Sequence, residues 1–359
     1  MQPGRISALT GLRGLAVALV VAAHAHVSHL SAGLFGVDVF FVLSGFLITN
    51  VLLQLSPFGG RKWGYFLGRR AARLLPSLAA TLVVLAGWVL VADVPSGGKC
   101  LALASTHTMD LPLGGAGSCP GPFHITWSLA AEEQFYLAWP LLVLLLSRLP
   151  RRRAAAGCVV AYGGFWALAE LVSLLDPATA GWWNFSPAGR PSALLLGAAL
   201  AFLVPLRGPL PALDRVAARL AVPLFVTGLV VTGMLLALPH GPRQVLLGPL
   251  VAVPATLLIA ALVLHPWGAA ARLCRHRALV WLGEVSYCLY LVHDLLLHIS
   301  RDQRADDSQL TNGIGVGAAL AIAWVMHRFV EQPLRRRGYA WLGDREAART
   351  PLPAPTLVG

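Results

Sequence analysis

Residues 6–27 read ISALTGLRGLAVALVVAAHAHV, an apolar run broken by Arg13 and His24. At a rise of about 1.5 Å per residue the run is long enough to cross a bilayer. Eleven residues of helix turn through about 1100°, roughly 20° past three full turns, so Arg13 and His24 share one face. Along the axis they are roughly 16 Å apart, about half the hydrocarbon thickness. Ionisable side chains stacked on one face inside a membrane are costly. They face a protein interior or a wet cavity and are functional candidates by default. A plainer reading leaves Arg13 snorkelling to one interface and His24 lying at the other.

The rest of the chain repeats the membrane signal. Hydrophobic residues make up 57% and charged residues 12%, with a mean hydropathy of +0.68, whereas a soluble domain carries about 25% charged residues. The expected fold is all-α, a polytopic bundle of ten transmembrane helices near 6–28, 34–55, 74–94, 127–147, 155–175, 189–206, 218–238, 245–264, 279–299 and 310–330. One transmembrane domain is expected over 1–335, and a short, disordered cytoplasmic tail over 336–359. With Arg13 inside it, the first segment reads as a retained span and not as a cleavable signal peptide.

Charge orients the bundle. With the N-terminus in the cytoplasm, the inner segments hold 22 of the 28 Lys and Arg residues, and the outer segments only Lys99, Arg243, Arg301 and Arg304. Arg13 and Arg190 fall within or at the edge of spans. That asymmetry is the positive-inside pattern, and ten spans put both termini in the cytoplasm. The net charge of +12 is thereby explained by topology, and no aromatic-interleaved basic patch points to a nucleic-acid partner. Nearly all the basic residues are arginine, which together with abundant Ala, Gly, Pro and Leu suggests a GC-rich bacterial genome.

Cys158, Cys274 and Cys288 fall in or beside spans and read as small apolar residues. Cys100 and Cys119 share an outer loop on the oxidising side. A disulfide between them would contribute roughly 3 kcal/mol in the chain-entropy picture.

Four constellations carry possible chemistry. Arg70 and Arg73 form an i, i+3 pair before Leu74-Leu75-Pro76; at the cytoplasmic mouth of the third span, their guanidinium groups suit a phosphate. An ordinary positive-inside flank would look the same. Trp127-Ser128-Leu129 leads to Glu132 and Glu133 inside an apolar run. Ser128 is a candidate helix cap, and because neighbouring residues diverge by about 100°, one glutamate is expected to face a shared cavity, pairing with an arginine or orienting a histidine. Tyr287, Tyr290 and His293 recur at spacings of three on one face; a purely structural network is the alternative. Around Ser44 and Gly45, below Asp38, the sequence suits close helix packing. No metal is expected at His24, His26 and His29, because His24 and His26 lie about 160° apart on a helix. No phosphate-binding loop, dinucleotide fingerprint or nucleophile elbow is present.

Taken together, these residues resemble the membrane acyltransferase-3 family, polytopic O-acyltransferases of bacterial surface glycans and of some macrolides. The resemblance rests on Gly11-Leu12-Arg13-Gly14 with His24, on Gly36-Val37-Asp38 through Phe40-Phe41 to Ser44-Gly45-Phe46, and on Arg70 to Arg73 with Leu-Leu-Pro. It continues through Trp127 to Tyr136, Arg190 with Gly197, Ser286-Tyr287 to His293, and Glu331-Gln332-Pro333. It implies acyl transfer from cytoplasmic acyl-CoA, a co-substrate with no resident cofactor, to a hydroxyl that usually belongs to a sugar. On that reading His24 is the base or a transient acyl acceptor. Arg13, Arg70 and Arg73 bind or orient the donor. Glu132 or Glu133 pairs with an arginine or orients the histidine, and His293 is a second polar contact near the acceptor. Tyr287, Tyr290 and Arg190 complete the substrate-binding set. Some relatives carry an esterase-like domain after the last span. None is expected here, which tilts the acceptor toward a small natural product over a cell-wall or surface glycan. A glycan or drug exporter and a non-catalytic scaffold are the competing classes.

Overall fold

A computed structural model describes residues 3–28, 30–55, 60–94, 96–111, 119, 121–176, 185–204, 211–238, 244–304 and 308–343. All regular structure among them is helical. In order come α1 (Pro3–His24), a 3-10 turn (Ser31–Phe35), α2 (Gly36–Gln54), α3 (Gly60–Ala92), α4 (Gly97–Ser105), α5 (Gly121–His124), α6 (Thr126–Leu146) and α7 (Arg151–Leu175). A second 3-10 turn (Arg190–Ser192) precedes α8 (Ala193–Leu203), α9 (Pro211–Leu236), α10 (Gln244–Leu264), α11 (Ala269–Cys274), α12 (Arg277–Arg304) and α13 (Gln309–Met326). A π-helical turn (His327–Glu331) then joins α13 to α14 (Gln332–Trp341).

Among the described residues, nine helical stretches are long and apolar enough to cross a membrane. Bilayer-compatible leucine and valine faces stay exposed on them, as at Val83, Leu90 and Val91 of α3 and Leu137, Leu141 and Leu145 of α6. The expected sixth span, 189–206, is the shortest of the set: among the described residues Arg190–Leu203 is helical there, about 20 Å long. Most of α8 is buried inside the protein. Irregular backbone at membrane depth is tolerated where protein, not lipid, surrounds it. The third span begins at Gly60 instead of near 74, which puts Arg69, Arg70 and Arg73 on a continuous helix. At the other end α14 runs on past residue 335 to Trp341; residues 344–359 lie outside the described residues.

Two helix pairs approach too closely for any side chain at the contact. A Cβ on Gly14 of α1 would lie 2.0 Å from the Leu279 carbonyl oxygen of α12, and one on Gly283 would lie 1.8 Å from that of Thr10. Between α2 and α8, a Cβ on Gly45 would lie 1.9 Å from the Leu194 oxygen and one on Gly197 1.9 Å from the Val42 oxygen. Lipid offers no hydrophobic drive for helices to associate, so close van der Waals contact through small residues does that work. The packing expected around Gly45 is therefore present, with Leu194 and Gly197 as its counterpart. Gly45→Ala and Gly197→Ala should each lower the thermal unfolding midpoint in detergent, by an overpacking cost of about 1–3 kcal/mol. Unchanged midpoints in both would show that the helices separate without loss.

Outside the spans, Cys100 and Cys119 are bonded to each other, with Cα atoms 5.7 Å apart. The loop they close is tethered to α6 by Gln134, whose Nε2 donates to the His107 carbonyl (3.0 Å) and to Asp110 Oδ1 (2.9 Å). Burial pushes the Asp110 carboxyl up to about 6. Cys158, Cys274 and Cys288 are free thiols. Alkylation of denatured, non-reduced protein should therefore modify those three and spare Cys100 and Cys119, with mass spectrometry as the readout. Five modified cysteines would mean that the bridge is absent.

Candidate active site

A cavity of about 850 Å³ lies between α1, α2, α3, α6, α12 and α14. Helix direction gives its depth. Tyr65 and Arg69 of α3 with Arg335, Arg336 and Tyr339 of α14 stand at its arginine-rich end, cytoplasmic by the charge rule. Arg13, Arg73, Glu132, Glu133 and Tyr136 line its middle, and Phe40, Ser44, Ser128 and Tyr290 its far end.

Both glutamates line the cavity, which corrects the expectation that only one would. The wall is broad enough to span the 100° between them. Glu132 accepts hydrogen bonds from Ser44 Oγ at 3.0 Å and from the Tyr136 hydroxyl at 2.6 Å. Glu133 lies 3.9 Å from Arg70. The Arg70 guanidinium sits 3.3 Å from the centre of the Tyr136 ring, and its Nε is buried without a partner. Arg70 thus stands well inside the protein, held by a carboxylate and an aromatic face. Arg13 has Arg73, Glu132 and Glu331 as charged neighbours.

Arg13 and His24 do not share one cavity. Arg13, at the middle of α1, lines it; His24, the last residue of α1, does not. Instead the structure brings His24 to His293, their rings edge-on at 4.9 Å. The His293 ring also lies 5.5 Å from that of Tyr290, so Tyr290 touches both the cavity and the histidine pair. Each imidazole is oriented by its own helix. His24 Nδ1 meets the Val20 carbonyl at 2.9 Å, and His293 Nδ1 meets that of Tyr290 at 2.7 Å. A carbonyl accepts only, so in the neutral ring Nδ1 carries the proton and Nε2 keeps its lone pair. His293 Nε2 is buried with no partner. Asp294 and His124 are electrostatic neighbours of this pair.

Ser128 is not a cap. It is the third residue of α6, and its Oγ shares a 2.8 Å hydrogen bond with the Tyr290 hydroxyl. Tyr290 also donates to the Ile125 carbonyl at 3.1 Å, and Tyr287 to that of Leu74 at 3.1 Å. Both tyrosines line the cavity, as their face predicts.

Arg190 is engaged elsewhere. Its guanidinium is ion-paired with the buried Asp38, donates to the Leu34 carbonyl at 3.0 Å and lies 4.3 Å from the Phe35 ring. It does not line the large cavity. A role in joining α2 to the turn before α8 accounts for all these contacts.

His327 and His124 escaped the sequence reading. His327 Nδ1 lies 2.9 Å from Glu331 Oε2, and Arg335 lies 3.4 Å from Oε1. Their signal was an i, i+4 spacing, His327 to Glu331, in a segment that reads as the end of a span. Among the described residues, Cys288, His327 and Glu331 alone place candidate metal ligands within 4.8 Å of one another. These atoms already satisfy each other, and Arg335 supplies the positive charge, so the cluster is read as a hydrogen-bond network. His29 lies outside the described residues.

A multi-pass bundle with a cationic cavity reaching toward a buried histidine, His293, and its half-buried neighbour His24 describes a membrane-embedded group-transfer site. The chain belongs to the acyltransferase-3 family, whose sequence profile, described as an acyltransferase domain, matches residues 6–328. It is similar to the peptidoglycan O-acetyltransferase OatA of Listeria monocytogenes, 28% identical over 93% of this chain and 56% of that protein. It is also similar to YrhL of Bacillus subtilis, named provisionally for the same activity, 29% identical over 93% of this chain and 55% of that one. The chain thus spans about half the length of these relatives. No solved structure matches it. Family and spans place it as a multi-pass protein of a bacterial cell membrane.

The Asp38–Arg190 pair allows a direct test of role. Breaking a buried ion pair by removing one partner costs about 3–5 kcal/mol, so Arg190→Ala should lose thermal stability and folded yield. A variant that melts like wild type and loses only acceptor affinity would return Arg190 to the binding set.

Proposed function

We propose that the protein transfers an acetyl group from cytoplasmic acetyl-CoA to a hydroxyl of a cell-wall sugar presented at the outer face. The observation that carries this reading is the arrangement of the two polar sites. The cavity ends at Ser128 and Tyr290, and the His24–His293 pair lies directly behind them. A donor entering among the arginines and an acceptor arriving from the outer end of α1 would meet there.

His24 Nε2 takes the proton as the acceptor oxygen attacks the thioester carbonyl. The C–O bond forms, the C–S bond breaks, and the thiolate leaves as the CoA thiol after taking up that proton. The Tyr290 and Ser128 hydroxyls lie at that end of the cavity, and turning from the Ile125 carbonyl and from each other would let them donate to a developing oxyanion. Arg13, Arg70 and Arg73 hold and orient the donor, and Glu132 and Glu133 keep those cations placed inside the membrane. The names of the relatives favour a cell-wall sugar over a small natural product as acceptor.

The test is transfer of labelled acetyl from acetyl-CoA to a cell-wall oligosaccharide by purified protein. His24→Ala should lower the rate by about 10²–10⁴ while leaving CoA binding intact. Arg70→Ala should raise the KM for acetyl-CoA through loss of a charge-assisted contact of about 1.5–3 kcal/mol. Near-wild-type turnover by folded His24→Ala would remove it as the base, with His293 next in line. Wild-type protein that binds no CoA would favour the exporter.

A further inference from the structure

The outer end of α1 closes without a glycine. The His26 N–H donates to the Ala23 carbonyl at 3.1 Å and the Val27 N–H to that of Ala22 at 3.0 Å, with His26 in the left-handed region at φ 51°. Glycine is the usual residue there, because a Cβ is crowded in that conformation. The closure satisfies two of the four carbonyls that a helix end leaves open. The next one belongs to His24, and it accepts from the Arg301 guanidinium of α12. Arg301 is itself anchored, its Nε donating at 2.8 Å to Oδ1 of Asn312, a buried residue of α13. The helix dipole also favours a cation at this end of α1.

One helix thereby controls both histidines. His293 lies eight residues before Arg301 on α12, roughly 12 Å along the axis. So α12 carries the His293 ring and holds the His24 backbone, and the two rings meet edge-on at 4.9 Å. Nearer the cytoplasm α1 meets the same helix at the Gly14 and Gly283 contacts. Those contacts fix the inner half of α1, and the Arg301 bond fixes its last residue. The His24 ring is held by its own helix through the Val20 carbonyl, so placing the backbone places Nε2. We propose that Arg301 is a positioning residue for the transfer reaction. It keeps His24 Nε2 at reacting distance by holding the end of α1 against α12 and α13, and it touches no reacting atom. The inference rests on the reading of His24 as the base.

The experiment measures acetyl transfer to a cell-wall oligosaccharide, with rates taken per folded protein. A displacement of about 1 Å at a reacting group can cost 10²-fold, so Arg301→Ala should lower kcat about 10- to 100-fold. The KM for acetyl-CoA and the affinity for CoA should stay as in wild type. Arg301→Lys keeps a cationic donor for the carbonyl but loses the bond to Asn312, and should lose less, about three- to tenfold. The same two substitutions are then made in His24→Ala. A residue that acts through His24 has nothing left to position there, so neither should lower the residual rate further. Gln309→Ala is the control: Gln309 is exposed and reaches the His26 carbonyl instead, and its loss should change neither constant. If Arg301→Ala yields too little folded protein, Arg301→Lys carries the same comparison. Wild-type kcat in the folded Arg301 variants, a raised KM for the acceptor at unchanged kcat, the same fold-loss with and without His24, or an equal loss in Gln309→Ala would each overturn the positioning role while leaving His24 as the base. Near-wild-type turnover by His24→Ala would overturn both.

Discussion

A guanidinium within the hydrocarbon layer needs either a carboxylate or a water-filled space, and this protein uses both answers. Arg190 is matched by Asp38 in a closed, buried pair. Arg13, Arg70 and Arg73 border a cavity, where two glutamates and a tyrosine ring share the burden. The first arrangement ties α2 to the turn before α8. The second leaves donors such as Arg70 Nε without a protein partner, the condition a ligand with negative charge or a carbonyl would exploit. Much of the bundle is arranged around keeping those charges wet on one side only.

That one-sidedness separates the polar interior into compartments. The wet cavity reaches Ser128 and Tyr290, and the histidines lie past them, beside the turn where α1 ends and Arg301 caps the His24 carbonyl at 2.5 Å. A thin layer of hydroxyls and rings therefore stands between the cavity and the histidine pair.

The helical, membrane-spanning character was legible because periodicity and charge asymmetry are local sums over many residues. So was the inward facing of Arg13, Arg70, Arg73, Tyr287 and Tyr290, which follows from helical phase. What phase cannot supply is depth and partnership. Arg13 and His24 do share a helix, but the end of a cavity falls between them. Ser128 read as a cap because its helix was started one turn too late. Arg190 read as a substrate contact because its partner, Asp38, stands 152 residues away. His327 went unread because a π turn, invisible to composition, was needed to set it beside Glu331 and the cavity.

That π turn amounts to one residue more than an α-helix would use over His327–Glu331. Each residue advances a helix by about 100°, so the extra one sets the angular phase of everything downstream. Arg335, Arg336 and Tyr339 point at the cavity only in that phase. The direction in which α14 faces is thus set by the turn before it as well as by its own side-chain pattern. Substitutions along α14 would be met one at a time, whereas loss of a single residue upstream would turn the whole wall away at once.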